Sequence, residues 1–246
     1  LLEPVMLGKS PLKEKSQEKY LGDILDSQGL AESVEATVKD RNAKVKGSLY
    51  ELRALVEDVR MQAVGGLGAA IDLYESCIVT SLLANCSTWT EIKKKTEEDL
   101  DALQDLFCRV LLQVPQSTPK LSARAALGLL GMSWRIKQEK VLLVLALKQQ
   151  EEDCLAREVL QEQMRMGWPG LGKEVQDICK EIGLPDATDV KVNMAKEDVK
   201  EAITVHHLMH IKNEMKGKDK EEITPSMGLR SAGWPSAWKP SSSTAE

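Results

Sequence analysis

The sequence predicts a mainly α protein, in which a short N-terminal β-hairpin is followed by a multi-helix bundle and a disordered C-terminal tail. Three observations predict it. Aromatic residues make up only 4% of the 246 residues, with one Phe and three Tyr, while Leu, Ala, Val, Glu and Lys abound. That balance favours helix packing over a β-sandwich or barrel. Apolar residues recur at three- and four-residue steps through most of the chain, the period of a helix face. One stretch, Lys19-Tyr20-Leu21-Gly22-Asp23-Ile24-Leu25, reads instead as a strand, closed by the turn formers Asp26-Ser27-Gln28-Gly29.

Upstream of that strand, Val5-Met6-Leu7 is a second short apolar run, and Gly8-Lys9-Ser10-Pro11 supplies turn chemistry to fold one strand back on the other. An isolated two-stranded hairpin is marginal in water, so a partner surface is expected.

From Leu30 to Ala63, the positions Val34, Val38, Val45, Leu49, Leu52, Val56, Val59 and Ala63 form one stripe of a long amphipathic helix. Gly65-Gly66-Leu67-Gly68 then breaks it, because each glycine inside a helix costs roughly 1 kcal/mol. A turn is expected there. Ala69 to Cys86 resumes as a helix with few charges after Glu75, buried on most sides. Glu91 to Gln113 follows with Leu100, Leu103, Leu106, Phe107, Val110 and Leu111. Pro115 and Pro119 bracket a loop, and Lys120–Leu130 and Ser133–Gln150 make a pair separated by Gly131. Glu158–Met166 and Lys173–Ile182 are shorter helices around Gly167-Trp168-Pro169-Gly170. Lys196–Lys216 is helical with a thin apolar face, and the Ser-, Pro- and Gly-rich end reads as disordered. The expected organisation is a hairpin over 1–28, a helical bundle over 29–153, additional helices over 154–216 and a tail over 217–246.

The two charge signs are interspersed, with 33 Lys and Arg against 38 Asp and Glu, a formal charge of −5. No basic tail announces nucleic acid. Cys77, Cys86, Cys108, Cys154 and Cys179 include no C-x-x-C pair, so buried thiols in a reducing compartment are expected over a disulfide framework. The longest apolar run, Val141 to Leu147, falls far short of the roughly 20 residues of a membrane span. An intracellular protein, cytoplasmic or nuclear and not secreted, is the expectation. The chain starts on Leu1, where an intact reading frame starts with Met, so a fragment is expected.

Three constellations bear on chemistry. His206 and His210 stand one helical turn apart, a spacing that can hold a metal, but no acidic partner motif accompanies them and His207 is the only other histidine. Asp99, Asp101 and Asp105 suggest paired carboxylates for two-metal chemistry; lysines nearby make a solvated face the expected reading. The most specific pattern lies in the first long helix, where Lys39, Lys46, Arg53 and Arg60 repeat at heptad spacing beside Val38, Val45, Leu52 and Val59. At 1.5 Å per residue the row spans about 30 Å with a drift of roughly 20° per heptad, so it can track several phosphates along a duplex. The competing reading is that lysine and arginine stems simply cover the edge of a packed face.

Three features resemble the non-LTR (LINE-type) retrotransposon reverse transcriptases just after the catalytic palm. Lys19-Tyr20-Leu21-Gly22 before the aliphatic Ile24-Leu25 is similar to that family's junction strand between palm and thumb. Leu82-Leu83-Ala84-Asn85-Cys86-Ser87-Thr88-Trp89 is similar to a helix that ends on a Leu-Leu pair with a Trp a few residues on. Leu100 to Phe107, Val114-Pro115 to Pro119 and Leu127-Gly128-Leu129-Leu130 keep the order and approximate spacing of the next helices. The likeness reaches from the N-terminus to about Gln150, with departures at Ala84-Asn85, where the family often has Tyr-Gly, and at Ser87, where it has Glu.

The resemblance implies a thumb, a helical subdomain that grips a template-primer duplex without reading its sequence, with Lys39, Lys46, Arg53 and Arg60 as phosphate contacts. It also implies a palm, the expected partner of the hairpin. The family's catalytic aspartates precede the junction, and Leu1 to Glu18 holds no aspartate. Two metal ions need their carboxylates, so no polymerase activity and no cofactor are expected of this chain alone, a divalent metal being expected only together with a palm. The alternatives are a helical interaction or scaffold module, or a non-functional relic of a retroelement.

Overall fold

A computed structural model of the chain describes residues 6–7, 10–11, 15–62, 66–115, 117–151, 153–189 and 192–217. It is mainly helical with an N-terminal antiparallel hairpin. The tail expected beyond Gly217 lies outside the described residues.

Two short antiparallel pairs open the chain. β1 (Met6–Leu7) pairs with β2 (Ser10–Pro11), and β3 (Gln17–Tyr20) pairs with β4 (Asp23–Asp26) in the register Tyr20 opposite Asp23 and Gln17 opposite Asp26. The expected strand over Lys19 to Leu25 is thus itself a hairpin, bent at Leu21-Gly22, and the apolar run at Met6–Leu7 pairs elsewhere. Leu21 and Gly22 both have positive φ, 48° and 90°, the sign pair that a two-residue turn needs to match the twist of its strands. A glycine inside an apolar run marked this bend.

The hairpin finds its partner surface within the chain. Thr37 and Ser33, on α1 (Leu30–Gln62), accept hydrogen bonds from the backbone N–H groups of Ile24 (2.7 Å) and Asp26 (2.8 Å). Those bonds satisfy donors on the strand edge that β3 leaves open. The opposite side stays in solvent, with Tyr20 and Leu21 exposed.

α1 buries Val34, Val38, Val45, Leu49 and Leu52, as the periodicity predicts. α2 (Gly66–Leu73) begins within the glycine cluster, so Gly66 and Gly68 sit in its first turn rather than in a loop. It runs on through a π-helical turn (Tyr74–Val79) into α3 (Thr80–Leu82). In the π turn Thr80 donates its N–H to the Glu75 carbonyl, five residues back. Tyr74 is fully buried there and stacks on Phe107, with ring centroids 3.7 Å apart. α4 (Lys94–Leu112), α5 (Lys120–Leu127), α6 (Met132–Lys148), α7 (Leu155–Met166), α8 (Leu171–Ile182) and α9 (Lys196–Gly217) complete the bundle.

Two apolar clusters form, with α6 as the wall between them. α1, α2, α3, α4 and α5 enclose the first, to which α6 contributes Met132 and Ile136. α7, α8 and α9 enclose the second, to which α6 contributes Trp134, Val141, Val144 and Leu145. Buried on both sides, α6 explains why Val141 to Leu147 shows little amphipathic alternation.

Candidate nucleic-acid interface

The stripe that α1 buries leaves its complement in solvent. Lys39, Lys46 and Arg53 are exposed, each one residue beyond a buried Val38, Val45 or Leu52. Heptad spacing brings them onto one edge, with about 10 Å of rise between successive cations. Arg60 belongs to α1, but its side chain lies outside the described residues. Among the described residues Lys39 and Lys46 have no carboxylate partner.

Several other charges of this helix are engaged elsewhere. Asp40 accepts from both Lys44 (2.6 Å) and Lys19 (3.0 Å), which hold its carboxyl below the usual range. Lys19 is therefore in an ion pair with α1. At the N-terminal end, Lys93 bridges Glu32 (3.0 Å) and Glu35 (2.9 Å) and lowers both carboxyl pKa values. Glu32, Glu35 and Asp40, beside the N-terminal half of the cation row, are thus locally neutralised.

Sequence reasoning missed Tyr50. It is 69% exposed and stands four residues after Lys46 and three before Arg53, on the same side of the helix. Its signal was available in that spacing: a phenol hydroxyl between two cations adds a hydrogen-bond donor for phosphate oxygens along the same edge.

A second missed residue is Arg41, which gathers the resemblance-bearing segments. Nearly buried, its guanidinium donates to the carbonyls of Leu82 (3.2 Å), Ala84 (2.5 Å) and Gly22 (3.2 Å), and pairs with the Asp23 carboxylate at 2.7 Å. It lies 5.4 Å from the ring centroid of the buried Trp89. Asn85, in the left-handed region at φ 58°, donates to the other Asp23 oxygen at 3.1 Å. Lys19-Tyr20-Leu21-Gly22 and Leu82 to Trp89, about 60 residues apart in sequence, meet around this one side chain.

The carboxylate triplet behaves differently from the expectation. Asp99 is exposed, but Asp105 is only 2% exposed and pairs with the buried Arg124 at 2.5 Å. Arg124 also reaches Asp101 at 3.3 Å, and Asp101 accepts the Met132 N–H at the start of α6. Burial pushes the Asp101 carboxyl above its usual range, against the opposing pull of Arg124. A solvated face was the wrong picture for Asp105, because its partner comes from a neighbouring helix. These carboxylates clamp α4 to α5 and α6.

His206 and His210 gather around an indole rather than around further ligands. Their rings flank Trp134, with centroids at 5.2 and 6.0 Å, and His207 joins them at 5.7 Å. Among the described residues no group of three His, Cys, Asp or Glu gathers to hold a metal, and no helix is long and apolar enough to cross a membrane. Comparison with models of protein families, with curated proteins and with solved structures finds no match.

Proposed function

We propose that this chain is a non-catalytic helical part of a LINE-type reverse transcriptase that grips duplex nucleic acid by its phosphates through α1. The observation that carries the reading is the row Lys39, Lys46 and Arg53 on the solvent side of one long helix, with Lys39 and Lys46 unpaired among the described residues and Tyr50 between the cations. Cations at this spacing meet successive phosphates and release their counterions, which gives affinity without sequence preference. The convergence of the junction motif with Leu82 to Trp89 on Arg41 supports assigning a common structural role to the segments that carry the resemblance. The exposed side of the hairpin, with Tyr20 and Leu21, would face a palm or another protein.

The test is polarisation of a labelled RNA–DNA duplex titrated with the protein over a range of salt. Binding should weaken steeply with salt, and Lys39→Glu together with Lys46→Glu should flatten the log–log slope by about 2, near 0.9 for each phosphate no longer neutralised. Absence of binding at low salt, or a slope unchanged by the double variant, would sink the reading. A helical protein-interaction module is the second reading, favoured by Leu155 and Val159, which α7 leaves in solvent.

A further inference from the structure

The outer face of α7 carries large apolar side chains: Leu155 is 72% exposed, Val159 47% and Met166 47%. The inner face of α7 is fixed. Leu160 is buried, and α8 approaches so closely at Gly172 that a β-carbon there would collide with the Met164 side chain. Rotation of the helix cannot hide the apolar face, which therefore stays open to a partner.

Its pattern specifies which partner. Leu155, Val159, Glu162 and Met166 follow the four-three-four spacing of a coiled-coil seam. Glu158 and Arg165 lie seven residues apart, hence on the same flank of that seam. Two antiparallel copies related by a twofold axis bring like flanks together, so each Glu158 meets Arg165 of the second copy, and the contact occurs twice. Leu155 then packs against Met166, and Val159 against Glu162, of the second copy. A parallel pair would set this flank against Ala156 and Gln163 and form no charge pair. Glu162 near the centre is already bonded to Arg165 in its own helix through Nε and Nη2, at 2.8 and 2.5 Å, so the pairing with Glu158 of the second copy falls to Nη1.

We infer that α7 is an isologous interface through which two copies of this chain associate antiparallel, held by the Leu155, Val159 and Met166 seam and registered by reciprocal Glu158–Arg165 pairs. This surface is separate from the α1 cation row, and its failure would leave the duplex-binding reading standing.

Sedimentation velocity of the full chain from about 5 to about 500 µM, a range suited to a small interface, should show a monomer–dimer equilibrium. Glu158→Arg should weaken it by about tenfold or more, since two attractive pairs become repulsive, and Glu158→Arg with Arg165→Glu should restore it. Val159→Glu should abolish the dimer while helix content by circular dichroism stays unchanged. A monomer throughout the concentration range overturns the inference. So does a dimer indifferent to Glu158→Arg, or one that the double swap fails to restore.

Discussion

Lowering the pH from 7 towards 4 would force a proton onto His207, which holds α9 against the joint between α5 and α6. The imidazole is 4% exposed, and its Nε2 accepts the Gly131 N–H at 3.3 Å. Burial first, and then the positive charge of Arg124, bring its pKa down to about 4, with Arg135 and His210 adding in the same direction. In the unfolded chain a histidine titrates near about 6.5. The unfolded state therefore takes up its proton as the pH falls through about 6.5, whereas the folded state does so only near 4, so this contribution to stability is complete above 6.5 and lost between the two values. The loss amounts to about 1 kcal/mol at pH 6, about 2 at pH 5 and about 3 at pH 4. Other groups titrate over the same range, so a reference is needed. His207→Gln keeps an acceptor for the Gly131 N–H and cannot take the charge. Urea denaturation followed by circular dichroism, at pH values from 7 to 4, should show the native protein losing about 3 kcal/mol more than the variant. Stability curves that run parallel within about 0.5 kcal/mol would refute the placement of His207 as a buried neutral acceptor.

Two further substitutions examine the joints of the bundle. Arg124→Met leaves the buried Asp105 carboxylate only the more distant Lys120 amine, at 3.7 Å, and should destabilise by about 3–5 kcal/mol in urea denaturation, with most of the loss recovered when Asp105→Leu is added. A single variant within about 1 kcal/mol of the native protein would show that Asp105 is solvated after all. Arg41→Met removes the bonds from α1 to Gly22, Asp23, Leu82 and Ala84 and should cost about 3 kcal/mol. Hydrogen exchange of the Ile24 amide should then accelerate, because the hairpin keeps only the Ser33, Thr37 and Asp40 contacts with α1; unchanged protection there would contradict the role given to Arg41.

Helix periodicity is a local property, and what depends on it was legible in the residues. The step of three and four along α1 identified Val34, Val38, Val45, Leu49 and Leu52 as its buried stripe, and therefore Lys39, Lys46 and Arg53 as exposed flank. Gly167 and Gly183, with φ of 65° and 72°, terminate α7 and α8 where a residue free to adopt the left-handed region is needed, whereas Gly128 ends α5 at Leu127, short of the expected Leu130. The hairpin was legible as strand material but not in register, because Leu21-Gly22 lies inside the apolar run it bends. Tertiary structure alone decided the rest. Asp105 is acidic, near lysines and on a helix, and nothing in that neighbourhood announces a buried Arg124 from the next helix. Arg41 reads as one more surface cation until the carbonyls of Leu82 and Ala84, some forty residues away, are brought to it. A charge's environment is set by groups distant in sequence, whereas a helix face is set by neighbours within two turns. The chain's own pattern therefore specified which residues face solvent or core along α1, and only the packing of the helices decided which charges are spent on holding them together.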